Sequence, residues 1–205
     1  MSTDVLSPAD TARIQRTFAA LRGRGVEPVF AGDRTEALRI VLGLIPPGAA
    51  VAHGSSMTLK EIGLVDYLER PDSPYRYLNA EWLAENDPER RARLRARLSA
   101  EADYFLGSVQ AITEDGRVIG ADGSGSRQAF YVFGPPRVIW VAGINKLVPT
   151  LEDGFRRLHE VAVPLEDARI RQSGGSGTRL NKIVIYEGER PGRISLVLVG
   201  EPLGF

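Results

Sequence analysis

The feature that most constrains this chain is the alternation of helical and extended patterns between Ser7 and Met57. Ser7-Pro8 sets an N-cap before a proline at the first helical position. Ile14, Phe18 and Leu21 then recur at helical spacing, and Gly23 and Gly25 end the segment. Val26 to Ala31 is a short β-like run. Asp33 caps a second helix whose apolar stripe is Leu38, Val41, Leu42 and Ile45, stopped by Pro46-Pro47-Gly48. Ala49 to Ala52 is an apolar run bounded by turn residues, as in a strand buried on both faces. His53-Gly54-Ser55-Ser56 follows, and a helical pattern resumes at Met57. Such alternation predicts an α/β fold with a mainly parallel sheet.

The rest of the chain extends this pattern with added β-hairpins. Tyr75 to Leu78 reads as an edge strand, and Pro88 to Leu98 as a helix opened by proline. Val109 to Thr113 and Arg117 to Ala121 flank Glu114-Asp115-Gly116, a hairpin signal that makes Glu114 a solvated turn residue. Arg127 to Phe133 fits either helix or strand. Val138 to Ala142 is a buried strand, and a helix with Leu151, Phe155 and Leu158 on one face opens at Pro149. Ile183 to Tyr186 and Ile194 to Val199 flank Arg190-Pro191-Gly192, which predicts a second hairpin with a type II turn. No internal repeat or domain boundary is visible. The expectation is one domain over residues 1–205, flexible at 1–7 and in the Gly/Ser-rich loop 172–179.

Composition removes several kinds of chemistry. The chain has no cysteine and two histidines, His53 and His159, so disulfides, thiolate nucleophiles, Cys-held clusters and a multi-His metal site are excluded. Twenty-six basic residues balance 26 acidic ones, which disfavours a general nucleic-acid surface. The arginines at 90, 91, 93, 95 and 97 are interleaved with acids and spread around a helix, so they read as a solvated or subunit-contacting face. No apolar run is long enough to span a membrane and none follows an N-terminal charge cluster, so no membrane insertion and a cytoplasmic location are expected.

Three loops carry candidate chemistry. In His53-Gly54-Ser55-Ser56-Met57-Thr58, at the carboxyl end of a predicted strand, Gly54 admits close backbone approach and Ser55, Ser56 and Thr58 add hydroxyls suited to phosphate or carboxylate. Alternatively, Ser55 or Ser56 merely caps the helix. The spacing matches neither the P-loop nor the dinucleotide fingerprint, and no cofactor is expected. In Asp122-Gly123-Ser124-Gly125-Ser126-Arg127, Asp122 suits proton transfer or substrate orientation, and Gly123, Ser124 and Gly125 an anion cradle. The same residues also fit a plain connector. Asn145 and Lys146 follow the strand Val138–Ala142, with Lys146 placed to neutralise an anion or to lie in solvent. His53 is either a general acid–base, its ordinary pKa being near neutrality, or a satisfied histidine at a strand end. His159 reads as structural or solvated.

Taken in order, these loops resemble the LUD (lactate utilisation) domain family, the LutC/YkgG-like proteins. The matching stretches are His53 to Gly63, Asp103 to Gly116, Asp122 to Arg127, Gly143 to Val148 and Leu198 to Phe205. The resemblance implies a fold like that of the NagB/RpiA/CoA-transferase group, a three-layer Rossmann-like mainly parallel sheet with helices on both faces, whose members bind sugar phosphates or CoA esters at Gly/Ser loops. It implies a part in growth on L-lactate beside an iron–sulfur subunit and a second redox subunit. Some members carry a Cys-rich segment where this chain has Arg171-Gln172-Ser173-Gly174-Gly175-Ser176-Gly177, so cluster binding does not carry over. The glutamate nucleophile of the CoA-transferases has no matching motif here, although Glu114 lies in a suggestive place. Three readings follow. The first is a lactate-utilisation component binding a small carboxylate or phosphate, with Asp122 or His53 for proton transfer and Gly54, Ser55, Ser56 and Lys146 holding the anion. The second is a non-catalytic subunit docking on an iron–sulfur redox partner. The third is an enzyme processing CoA esters or sugar phosphates.

Overall fold

The structure is a computed structural model that describes residues 7–205. Of the N-terminal stretch expected to be flexible, residues 1–6 lie outside the described residues, and Ser7 caps the first helix by accepting from the Asp10 amide. The helices are α1 (Pro8–Gly23), α2 (Arg34–Leu44), α3 (Met57–Glu61), α4 (Leu64–Leu68), α5 (Leu78–Leu83), α6 (Pro88–Glu101), α7 (Gln128–Val132), α8 (Leu151–Arg157) and α9 (Val163–Gln172). The strands are β1 (Val26–Ala31), β2 (Ala50–His53), β3 (Arg76–Tyr77), β4 (Tyr104–Gly107), β5 (Ala111–Thr113), β6 (Val118–Asp122), β7 (Arg137–Gly143), β8 (Leu147–Val148), β9 (Lys182–Tyr186) and β10 (Ile194–Val199).

Six strands form a central sheet in the order β1-β10-β7-β4-β2-β3, and every neighbouring pair is parallel. Parallel strands need crossovers, and those crossovers cover both faces with helices. The side-chain period of two then sorts the sheet residues into two cores. Ile194, Leu196 and Leu198 of β10 and Val138, Trp140 and Ala142 of β7 face one core, with α1, α5, α6 and α7. Val197, Val199, Ile139 and Val141 face the other, with α2, α3 and α4. Strands so placed are apolar on both sides, which is why the central ones read as continuous hydrophobic runs.

A second sheet, in the order β8-β5-β6-β9, packs on the first of these cores through Ile112, Val118, Leu147 and Tyr186. Its other face, Ala111, Ile119, Ala121 and Val148, is covered by Leu158 and Ala162. Those two residues belong to a π-helical turn, Leu158–Ala162, that joins α8 to α9 into one long helical rod. Pro164 has no N–H and its ring crowds the carbonyl four residues back, so the wider turn before it lets the helix continue.

The structure corrects two sequence expectations. The hairpin β5–β6 forms as anticipated, but β9 and β10 are not a hairpin. The turn between them has the expected form, with Arg193 N–H donating to Arg190 O and Gly192 at φ +83°. Beyond it, β10 inserts between β1 and β7 in the central sheet, whereas β9 pairs antiparallel with β6 in the second. Strand β10 is buried on both faces and needs a parallel neighbour on each side, which no hairpin supplies. Glu114 is likewise not a solvated turn residue. Its carboxylate accepts from Arg13 Nε at 2.6 Å, half-buried, and ties α1 to the second sheet.

Strand β7 ends at Gly143, where a β-carbon would lie 2.3 Å from Leu203 N and 2.7 Å from Glu201 O. Both are backbone atoms and cannot swing aside. We expect Gly143→Ala to lower stability by about 2–3 kcal/mol in chemical denaturation, with the loss traced to displacement of residues 201–204.

Candidate functional site

A cleft of about 730 Å³, counted out to its solvent mouth, opens where β2, β4 and β7 of the central sheet and β6 of the second sheet end. This is the carboxyl edge of the parallel sheet, where loops from several strands converge and ligands bind in open α/β folds. The loop after β2 contributes Ser55, Ser56, Met57 and Thr58, and β6 with its loop contributes Asp122, Gly123 and Arg127. The turn after β7 contributes Lys146, and Ser108 follows β4. The helical rod closes the opposite side through Leu158, Ala162, Val163, Glu166 and Arg169, and Thr178, Arg179 and Gly204 complete the wall.

Direct bonds join the three loops. Arg127 Nη1 donates to Ser55 O at 3.3 Å, so the second loop lies across the first. Gly54 permits this approach, because a β-carbon there would sit 2.3 Å from Arg127 Cγ. Lys146 Nζ donates to Thr58 Oγ1 at 2.9 Å and to Ser108 Oγ at 2.8 Å, linking the third loop to the first and to the end of β4. Behind Ser108, the buried Tyr131 hydroxyl donates to its carbonyl at 3.1 Å. An edge-to-face chain of Phe105, Tyr131, Trp140 and Tyr186 fixes that hydroxyl from the core.

Helix α3 is five residues long, and Ser56 Oγ already accepts from Leu59 N. Ser56 is therefore a cap, as one of the two sequence readings had it, and side chains rather than a helix terminus supply the positive charge of the cleft. Four lining side chains are basic (Arg127, Lys146, Arg169, Arg179) and two are acidic (Asp122, Glu166). Asp122 is engaged on both oxygens. It accepts from Arg127 Nη2 at 3.1 Å, from Arg127 N at 3.2 Å and from Gln128 Nε2 at 3.3 Å. Such a carboxylate orients Arg127 and neutralises it. Glu166 likewise grips Arg169 at 2.7 and 2.8 Å.

Lys146 is different. It is 2% exposed, and its partners are hydroxyls rather than a carboxylate. Burial, reinforced by the charges of Arg157 and Arg127 and opposed by Glu61, pushes its pKa down to about 7. An ammonium in such a place lacks the counter-charge that buried ions require.

Of the other residues singled out from sequence, His53, Gly54, Ser124, Gly125 and Asn145 do not line the cleft. His53 Nδ1 lies 2.9 Å from Gly54 O, which only accepts, so Nδ1 carries the proton. Nε2, 2.8 Å from the Tyr77 hydroxyl, is then left to accept from it. Burial pushes the ring toward this neutral form, and Asn79 brackets the residue by bonding its N–H and its carbonyl. Asn145 accepts from Leu203 N and donates to Gly204 O, clamping the segment that forms one wall. Ser124 and Gly125 border a shallow hollow on the outer side with Lys182 and Val132. Glu166, Arg169 and Arg179 were not singled out. On a charged helix and beside a Gly-rich loop they look like solvated residues; the packing of the rod on the second sheet brings Glu166 and Arg169 to the cleft, and the segment leading into β9 brings Arg179.

Two outcomes follow from this geometry. Asp122→Asn leaves the Arg127 guanidinium, only 16% exposed, without its counter-charge, and should cost about 3 kcal/mol in denaturant titration, whereas Ser124→Ala should leave stability unchanged. For Lys146 the effect depends on pH. In the unfolded chain it titrates near 10.5 and in the folded one near 7. Below pH 7 both states hold the proton and the burial penalty is complete. Between these values the unfolded chain holds a proton that the folded one lacks, so stability rises with pH. Lys146→Met removes this dependence. Its melting temperature relative to the parent should be highest near pH 6 and fall steadily toward pH 10, and a flat difference would contradict a depressed pKa at this lysine.

No curated protein matches the chain. Among solved structures, a crystal structure of a DUF162 family protein from Deinococcus radiodurans superposes with a TM-score of 0.57 at 14% identity, covering 96% of this chain and 100% of that one. At that identity the likeness concerns the fold, and it agrees with the three-layer α/β arrangement described above. The family model for the LUD domain matches residues 14–199, from α1 to the end of β10 and through every loop that lines the cleft except residues 204 and 205. The chain belongs to the LUD domain family.

Proposed function

We propose that this protein is a component of lactate utilisation and binds a small carboxylate or phosphate in the cleft. One observation carries the reading. Lys146 is a buried cation with two hydroxyl partners, Thr58 and Ser108, and among the described residues no carboxylate pairs with it. An entering anion supplies the missing counter-charge. Arg127 and Arg169 are already neutralised by Asp122 and Glu166, so the charge open to a guest is that of Lys146 together with Arg179, which has no ion-pair partner among the described residues. The low-dielectric walls of the cleft focus that charge on the guest. Asp122 and Gly123 act by holding Arg127 and its loop in place, and His53 by fixing the turn at Gly54.

Binding also moves a proton. Because Lys146 titrates near 7 when the cleft holds no anion, a bound anion favours its charged form. Above pH 7, binding therefore takes up protons from the buffer, and affinity falls as pH rises.

The test is a thermal-shift titration with L-lactate, pyruvate and inorganic phosphate. At a hundredfold excess over its dissociation constant, a true ligand stabilises the fold by about 2.7 kcal/mol. The shift should be lost in Lys146→Met and reduced in Thr58→Val. If none of the three anions shifts the melting temperature, or if the shift survives Lys146→Met in full, the site is not an anion site of this kind.

A further inference from the structure

Deepening the anion-binding reading, and resting on it, we infer that the cleft takes 2-oxo acids and that the Lys146 amine condenses with their ketone carbon to form an imine. Three independent features of the chain point there.

The first is the choice of basic residue. Only three of the 26 basic residues are lysines, namely Lys60, Lys146 and Lys182. Lys60 and Lys182 are exposed. Every other basic side chain on the cleft is an arginine. Arginine pairs well with carboxylates and never gives up its proton at physiological pH, whereas lysine does so when buried. If the cleft needed only positive charge, arginine would serve. A lysine at its most buried position is useful where the proton has to leave.

The second is the set of partners around Nζ. They are the hydroxyls of Thr58 and Ser108, at 2.9 and 2.8 Å. A carboxylate would hold the proton on the nitrogen, but a hydroxyl can donate as well as accept. It can therefore bond to the neutral amine as readily as to the ammonium. Burial first, and after it the charges of Arg157 and Arg127 against Glu61, lower its pKa to about 7, so the neutral amine is populated near neutral pH. A neutral, desolvated lysine amine is the form that adds to carbonyls.

The third is the charge opposite. Arg179 lines the same cleft as Lys146 and has no ion-pair partner among the described residues, whereas Arg169 is held by Glu166. Arg179 suits the carboxylate of a 2-oxo acid while the lysine meets the adjacent ketone.

The step balances without an added reagent. The nitrogen lone pair of neutral Lys146 forms a bond to the ketone carbon, and the carbonyl oxygen takes a proton from the amine, relayed by the Thr58 or Ser108 hydroxyl. The resulting carbinolamine loses that oxygen as water, which carries away both amine protons, and a carbon–nitrogen double bond remains.

The experiment is reductive trapping. The full chain is incubated with pyruvate and cyanoborohydride near pH 8, then analysed by intact mass and peptide mapping. The expected result is one reduced pyruvyl group on Lys146, formed faster than on Lys60 or Lys182. It should be retained in the double variant Lys60→Arg/Lys182→Arg, be absent with L-lactate, which has no ketone, and be absent in Lys146→Met, whose fold is checked by circular dichroism. If pyruvate stabilises the protein but labels only Lys60 and Lys182, or nothing, the imine is overturned while the anion site stands. If neither pyruvate nor the other anions stabilise the protein and no label reaches Lys146, both readings fall.

Discussion

The central sheet depends on a strand that arrives late in the chain. Strand β10 lies between β1 and β7, so neither of those strands has its full complement of hydrogen bonds until residues 194–199 are in place. Ile194 to Val199 also supplies residues to both cores, three facing α1 and the second sheet and two facing α2. The contacts that join the two halves of the sheet therefore span most of the sequence, and long-range parallel pairing of this kind is slow to form. The turn that delivers β10 is anchored accordingly. Arg193, 7% exposed, donates to the carbonyls of Phe130, Tyr131 and Pro135 and pairs with Glu189 at 2.6 Å. It satisfies the orphan carbonyls at the end of α7, so the entry to β10 and the helix that begins at the cleft are held by one guanidinium.

The same strand shapes the cleft from its other end. Past Val199 the chain folds over Gly143 and is clamped by Asn145 through Leu203 and Gly204, while Gly204 N–H donates to Glu61 at 2.7 Å. Glu61 is thus occupied by a backbone amide rather than paired with Lys146. The wall of the cleft and the unneutralised state of the lysine have a common origin in this arrangement. Without that amide the Glu61 carboxylate, whose field favours the charged form of Lys146, would be open to another donor.

Much of the first half of the fold was legible because its signals are local. Asp33 caps α2 as read, the run Val26–Ala31 is β1, and Asp115-Gly116 does turn a hairpin. The three loops also meet: the first and third follow strands of the parallel sheet, whose carboxyl ends share one edge, and the second follows β6 of the other sheet and is tied to the first by Arg127. What could not be read was sheet membership. Ile183 to Tyr186 and Ile194 to Val199 look alike as β-rich runs on either side of a good turn, and only burial on both faces of the second tells them apart. Likewise Glu166, Arg169 and Arg179 have no local mark, because the rod that the π-helical turn lengthens brings the first two to the cleft and the segment leading into β9 brings the third. Glu114 fits a solvated hairpin tip until α1 brings Arg13 alongside.

The contrast between Asp122–Arg127 and Lys146 shows how this site divides its work. The guanidinium is held by five contacts to Asp122, Ser55 and Ala121, which satisfy a planar group whose charge is permanent. It fixes the geometry of two loops and has little to offer a guest. The lysine is held by two weak and reversible partners, so its charge can change without the loops moving. A rigid charged latch beside a soft titratable group is an arrangement in which a ligand can alter protonation at one atom while the surrounding backbone stays in place. That contrast follows from the different chemistry of guanidinium and amine, and it is why the proposed imine is placed at Lys146.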